Sequence, residues 1–439
     1  RQKEEDLIKP DKTVAFYTLG CKVNQYDAQA MMEIFERAGY QIRPFGEQAD
    51  VNVVVTCVVT AAGEQKSRQM LHRVRREQPH SHLVAAGCLA QKDAEKLKDL
   101  GVRLILGNQH REQVVQLLEQ AIRENSRITA VEDVLRVPYE ELSITRQEGR
   151  TRAVMKIQEG CDRYCAYCII PYVRGGIRSR TPEAIAREAK RLVHAGYREI
   201  VLTGIHLTSY GRDLGGLTLL DAVRAAAVDG LNRLRLGSLE PVIASAAFVE
   251  SLAHIPVVCP QFHLSLQSGS DSMLRRMRRR YTAEEYLAAA RRLQDAFPGC
   301  ALTTDVLVGF PGETQEEFEQ TLAFCEQVGF AKMHIFPFSR RAGTAADRMP
   351  GQLSRALKTE RARQMAALEA RMSKGFMASF LGSSQDVLFE TLTKDGLALG
   401  HTPNAISVYC PGGSPGKIQK VRLLAPLDDG LRATLLSSS

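Results

Sequence analysis

The 439-residue chain has no apolar run approaching the roughly 20 residues a membrane-spanning helix needs. No apolar leader precedes its first strand-like segment, so a cytoplasmic protein without membrane partners is expected. Internal repeats and low-complexity tracts are also missing. With 44% hydrophobic and 25% charged residues, the composition is that of a soluble globular chain of two or three domains rather than a disordered one. Most of the ten cysteines sit singly, which together with the missing leader argues against a disulfide framework and leaves thiolates free to act as ligands. There is no acidic excess either. The formal charge of +8 suits a polyanionic partner without requiring one.

What the chain does have is cysteine in two sets of three. Cys161, Cys165 and Cys168 form a C-x3-C-x2-C loop in GCDRYCAYC. Three thiolates so close in sequence suit a cubane 4Fe-4S cluster whose fourth iron lacks a protein ligand and stays open to chemistry. Structural zinc is the alternative, but zinc takes four N or S ligands. Neither His194 nor His206 lies at a finger-like spacing from the loop.

Residues 1–125 alternate short apolar runs (TVAFYTLG, DVNVVVTC, HLVAAGC, LILG) with helical stretches, which predicts an α/β domain with a parallel sheet. Cys21, Cys57 and Cys88 stand at or just beyond the ends of the first three strands. Those ends share the ligand-binding edge of an open parallel sheet, so residues 36 and 31 apart in sequence are expected to meet as a second three-cysteine site. Taken singly, each is equally explained as a small core residue.

Residues 126–150 read as a connector. Over 151–372 six more βα units (AVMKIQ, EIVLTGI, RLRLGS, FHLSLQ, LTTDVLVGF, AKMHIFPF) predict a partial or full barrel with function at the C-terminal strand ends, and the cysteine triplet follows the first of them. Residues 373–439 carry short strands with Gly and Pro turns, expected to form a small β-barrel suited to binding. Three basic clusters, around Arg73, around Arg174, Arg178 and Arg180, and over Arg275–Arg280, read individually as solvated faces.

These motifs resemble the radical SAM methylthiotransferase family along almost the whole chain. TLGCKVNQYD (18–27) and FPFSRRAGTAADRMPGQL (336–353) are similar to its branch acting on threonylcarbamoyladenosine in tRNA. The chain departs from the family at Val55, where asparagine is common, and at Ala342, where proline is; neither is a ligand position. The resemblance implies a Rossmann-like N-terminal domain, a radical SAM partial barrel and a C-terminal TRAM barrel. It also implies two 4Fe-4S clusters, one on Cys161, Cys165 and Cys168 that binds and cleaves S-adenosylmethionine, the other on Cys21, Cys57 and Cys88 that carries the sulfur. S-adenosylmethionine would be both radical source and methyl donor. Tyr167, Gly204, Ser238, Glu240, Gln267, Ser268 and Asp305 map onto the cofactor pocket. Arg178 and Arg180 would hold a carboxylate or RNA backbone, and Lys394, His401, Lys417, Lys420 and Arg422 are the TRAM candidates for RNA contact. The implied partners are the tRNA anticodon stem-loop and electron- and sulfur-donor proteins, with the enzyme expected as a monomer.

Two sister readings keep the chemistry and change the target, to isopentenyladenosine or a ribosomal-protein aspartate; Lys22-Val23 and the basic chain oppose both. A third, a redox-sensing RNA-binding iron-sulfur protein, predicts no 5′-deoxyadenosine on addition of S-adenosylmethionine and reductant. Cys57→Ala is expected to spare 5′-deoxyadenosine formation and abolish sulfur insertion, whereas Cys165→Ala abolishes both. Full thiolation by Cys57→Ala, measured on product nucleosides, would contradict the second site.

Overall fold

The computed structural model describes residues 12–135, 137–147 and 149–436. The chain divides into two units, Arg1–Ile144 with Ile169–Gly176, and Thr145–Cys168 with Ile177–Ser439. Among the described residues no helix is long and apolar enough to cross a membrane. None of the ten cysteines forms a disulfide.

The first unit is built on six parallel strands: β1 (Thr13–Thr18), β2 (Gln41–Arg43), β3 (Val51–Thr56), β4 (His82–Gly87), β5 (Leu104–Leu106) and β6 (Ile128–Ala130), in the order β2-β1-β3-β4-β5-β6. β3 is buried at every position, as a central parallel strand covered on both faces must be. Val53 and Val55 pack toward Met31, Phe35 and Leu118, whereas Val54 packs toward Met70, Leu71 and Val74 on the other face. The short edge strands β2 and β6 escaped sequence reading. β6 also corrects a boundary, since it extends the sheet into the stretch 126–150 expected to be a connector.

In the second unit, β7 (Arg152–Glu159), β9 (Glu199–Gly204) and β10 (Arg233–Leu236) pair in parallel, with β8 (Arg178–Ser179) antiparallel at the edge of β7. β11 (Gln261–His263), β12 (Ala301–Val308) and β13 (Lys332–Pro337) form a second parallel set. A Leu239↔Leu264 bridge joins the two sets into an open, partial barrel. The helix Arg355–Ala378 runs across the expected boundary at 372. It leads to β14 (Ser384–Leu392), β15 (Ala398–His401), β16 (Ser407–Cys410), β17 (Ile418–Leu427) and β18 (Gly430–Leu435), a closed barrel in the order β14-β15-β16-β18-β17. Its inward positions Val387, Phe389, Val408, Val421, Leu423 and Leu431 form one apolar core.

A buried charge cluster sits at the N-terminal edge of the partial barrel. Glu199 opens β9 and is flanked in register by Arg152 of β7 and Arg233 of β10. Its carboxylate is fully buried and accepts from Arg235 Nε at 2.9 Å, with Arg233 at 3.7 Å and Arg152 at 3.9 Å. The same arginines hold the C-terminal barrel: Arg233 donates to the carbonyls of His401 (2.9 Å) and Asp386 (2.6 Å), Arg235 to that of Pro403 (3.0 Å), and Arg152 pairs with Glu390 (3.1 Å). Burial alone would raise the Glu199 pKa, but Arg235 above all, then Arg152 and Arg233, hold it below its ordinary value. The Arg235 pKa is raised in turn, whereas burial pulls that of Arg233 down, so Arg235 is the principal partner.

Glu199→Gln leaves three guanidinium groups around an uncharged amide and is expected to destabilise the second unit by about 3–5 kcal/mol, measured by denaturant unfolding. Because the folded pKa is depressed, the wild-type margin over the variant is present above the ordinary glutamate value of 4.5 and is lost as the pH falls below it. A variant as stable as wild type at neutral pH would contradict this role.

Candidate functional site

In the first unit, β1, β3 and β4 are adjacent and paired at their ends, Thr18 with Val55 and Thr56 with Gly87. The chain therefore delivers Cys21, at the N-cap of the helix Lys22–Arg37, Cys57, just past β3, and Cys88, at the first turn after β4, to one sheet edge. Cys21 is exposed and the other two are buried. Gly20 makes the approach possible: at φ +101°, a Cβ there would lie 3.0 Å from Cys57 Sγ and 2.9 Å from Asn24 Nδ2. Gly87, at φ +91°, would likewise place a Cβ 2.9 Å from the Thr56 carbonyl oxygen.

A fully buried guanidinium faces this edge. Arg174 Nε donates to Cys88 Sγ at 3.2 Å, and the Val59 amide donates to Cys57 Sγ at 3.4 Å. Arg174 is held by Asn24 and by Asp27 at 3.5 Å; Asp27 also pairs with Arg111, which reaches Glu140 at 2.8 Å. Asn24 donates to the carbonyls of Leu19 (2.6 Å) and Thr56 (3.0 Å), tying the first cysteine loop to the end of β3. Burial pushes the Cys88 thiol pKa up, the Arg174 charge pulls it back, and Cys21 and Cys57 push it up again. Three soft sulfur donors that repel one another as thiolates, with N–H donors aimed at two of them, form a set that fits an iron-sulfur cluster.

In the second unit, Cys161, Cys165 and Cys168 lie in the loop after β7. The loop is pinned from two sides, by the Ala166 amide donating to Met277 O (3.0 Å) and the Ala346 amide donating to Ala166 O (2.7 Å). Tyr164 between the cysteines takes a left-handed φ of 47°, a costly conformation that turns the loop. Burial raises the Cys161 thiol pKa to about 11. A bound metal ion would supply the positive charge that holds such a sulfur as thiolate. Arg279 Nη1 donates to Cys165 Sγ at 3.3 Å.

Glu240 organises this loop. Its carboxylate meets Arg163 of the loop (3.0 Å), His206 (3.0 Å) and Arg279 (3.1 Å). Burial would raise its pKa, but His206 and the charges of Arg279 and Arg163 beside it overcome this and lower it to about 2. Glu240, expected in the cofactor pocket, stands among three basic side chains, one of them from the cysteine loop itself.

The other expected residues sort by burial and partners. Tyr167 stacks edge-on to Phe310 of GFPGE, ring centroids 6.5 Å apart, beside the cysteines. Gly204 ends β9, where a Cβ would meet Gln158 Cβ at 2.8 Å, so the space it leaves is filled by Gln158. Ser238 is exposed just past β10. Gln267 is half-buried at a left-handed φ of 73°. Ser268 is buried and hydrogen-bonded to Thr321 Oγ1 (3.0 Å) and the Ser270 amide (3.2 Å). Asp305 lies within β12, below its C-terminal end, and faces His263 at 3.3 Å.

Arg178 and Arg180 are buried, and Arg180 holds the Glu188 carboxylate at 2.6 Å, so neither is presented to RNA. His401 is also corrected: it pairs with Glu390 at 2.7 Å, at the contact with the partial barrel. Lys394, Lys417, Lys420 and Arg422 are exposed, the last two on one outward face of β17. Arg174, Arg163, His206 and Arg279 are the site residues that sequence reasoning missed as such. Arg174 and Arg279 sat in basic clusters read as solvated, and only their place next to cysteine loops in space separates them from surface arginines.

Residues 155–325 match the Radical SAM superfamily, 13–107 the Uncharacterized protein family UPF0004, and 378–436 the TRAM domain. The chain is 39% identical to the threonylcarbamoyladenosine tRNA methylthiotransferase MtaB of Bacillus subtilis, over 94% of each chain. It is 35% identical to a tRNA-2-methylthio-N(6)-dimethylallyladenosine synthase of Moorella thermoacetica, over 95% of this chain and 97% of that one. In fold it is similar to the radical S-adenosylmethionine methyltransferase TsrM of Kitasatospora setae, with a TM-score of 0.57 at 15% identity over 77% of each chain. Three domain matches in the order of the three architectures, and relatives alike from end to end, lead to one conclusion: the chain belongs to the radical SAM methylthiotransferase family, and within it to the MtaB type.

Proposed function

We propose that the protein methylthiolates C2 of N6-threonylcarbamoyladenosine beside the anticodon of tRNA, giving 2-methylthio-N6-threonylcarbamoyladenosine. The observation that carries this reading is the placement of six cysteines in two sets of three, Cys21, Cys57 and Cys88 just past β1, β3 and β4, and Cys161, Cys165 and Cys168 in the loop after β7. An aromatic C–H offers no acidic proton to a base, so replacing it with a methylthio group calls both for radical initiation and for a sulfur carrier, which two separate sites answer. The branch is supported by the name of the 39% relative and by Lys22-Val23 after Cys21.

Cys161, Cys165 and Cys168 would hold one 4Fe-4S cluster, and Cys21, Cys57 and Cys88 a second. When bound, these clusters with S-adenosylmethionine supply hydrogen abstraction, sulfur and methyl, the hard chemistry that a protein delegates to cofactors. The chain's own residues do the aiming. Arg174 and Arg279 donate to cysteine sulfurs, and Glu240 fixes Arg163 and Arg279 so that the triplet loop keeps one shape. Tyr167 and Phe310 offer aromatic surface next to that loop. Lys394, Lys417, Lys420 and Arg422 on the small barrel would contact phosphates, which position RNA without reading its sequence. The adenosine itself would be extruded from the loop, where bases are already partly unstacked.

The test is nucleoside mass spectrometry after anaerobic incubation of reconstituted protein with tRNA, S-adenosylmethionine, reductant and sulfide. A methylthio gain on threonylcarbamoyladenosine is expected. The gain on isopentenyladenosine instead would move the protein to the sister branch, and 5′-deoxyadenosine without any tRNA change would remove tRNA as the target. Glu240→Gln is expected to speed chelator removal of iron from the triplet about tenfold or more, the scale on which residues orienting metal ligands act, while leaving the first unit's iron in place. Equal rates in variant and wild type would show that Glu240 does not hold the loop.

A further inference from the structure

His263, Asp305 and His334 come from three neighbouring parallel strands, β11, β12 and β13. Asp305 is paired directly with His334, and His263 with Thr303, two residues before Asp305. Along β12, Thr304 turns toward Tyr286 of the covering helix Ala283–Ala296, with Thr304 Oγ1 3.5 Å from the Tyr286 hydroxyl. Thr303 and Asp305 therefore point to the opposite, concave face of the partial barrel. One ligand atom from each of His263, Asp305 and His334 lies within 4.8 Å of the others, and His263 Nε2 is 3.3 Å from Asp305 Oδ2.

We propose that this trio is a binding site for a divalent first-row transition ion, separate from both cysteine sites. Two imidazoles and one carboxylate on one side of an ion are a donor set for such metals, and they leave the remaining positions open. The dimensions agree. Ligands about 2.0–2.2 Å from a metal lie roughly 3.0–3.5 Å from each other in tetrahedral or octahedral geometry. The His263–Asp305 pair already has that spacing at 3.3 Å. His334 is exposed, and its ligand atom lies within 4.8 Å of those of the other two. His263 is pre-oriented by its other nitrogen, since Nδ1 is hydrogen-bonded to Thr303 Oγ1 at 3.0 Å. Thr303 is in turn contacted by Gln261 (3.3 Å), and Gln261 by Arg235 (3.1 Å), so the support reaches the buried charge cluster around Glu199. A simple His263–Asp305 ion pair uses two of the three groups; a metal uses all three. The open coordination positions face the concave side and suit an oxygen donor such as water or a carboxylate. The site stands independently of the methylthiolation reading.

The experiment is equilibrium dialysis of the cluster-loaded, chelator-washed protein against zinc, with zinc and iron counted in the same samples. Wild type is expected to retain one zinc per chain with iron unchanged. Asp305→Asn and His334→Ala, the latter at an exposed position, are expected to lose that zinc and keep their iron. No zinc on wild type, or full zinc on both variants, would overturn the proposal, the second outcome assigning the metal to cysteine.

Discussion

The in-register parallel pairing of β1, β3 and β4 is the constraint on which the proposed cluster site of the first unit depends. Three cysteines far apart in sequence can share one metal site only if the backbone brings their strand ends to a common edge. The pairings of Thr18 with Val55 and Thr56 with Gly87 do this. The second unit solves the same problem differently, with three cysteines in one loop and a pinned, locally strained backbone. One arrangement spreads the cost of gathering sulfur over a sheet; the other concentrates it in a turn.

Charge completes both arrangements. Thiolates gathered together repel, and burial favours their neutral forms. A buried arginine donates to a sulfur in each site, Arg174 to Cys88 and Arg279 to Cys165. Each arginine is itself anchored by a buried carboxylate, Asp27 or Glu240. At the opposite, N-terminal edge of the partial barrel, Glu199 and its arginines do structural work instead, fastening the TRAM module to the barrel. Function at one strand end and stability at the other is the division expected of barrels.

Much of this was legible in the sequence. The long central strands follow from period and turn residues, because buried strands need apolar runs, and the place of Cys21, Cys57 and Cys88 at neighbouring strand ends follows with them. The short edge strands β2 and β6 were not legible, since three residues carry no period. The roles of the arginines were hidden for another reason: Arg174, Arg180 and Arg279 read as surface charge, and whether a guanidinium is enclosed depends on partners such as Asp27, Glu188 and Glu240 that are distant in sequence. The partners of Ser268 and His401, Thr321 and Glu390, were hidden in the same way. The trio on the concave face was invisible too, because nothing in the spacing of 263, 305 and 334 marks them as neighbours until the strands are paired.

The proposal of two cluster sites in one chain is the centre of this picture, and iron and sulfide counting with Mössbauer spectroscopy on reconstituted protein tests it most directly. Wild type should hold about eight irons as two 4Fe-4S clusters, and a Cys21→Ala, Cys57→Ala, Cys88→Ala triple variant about four. About four irons in both proteins, with identical spectra, would show that the first unit gathers its cysteines for some purpose other than a cluster.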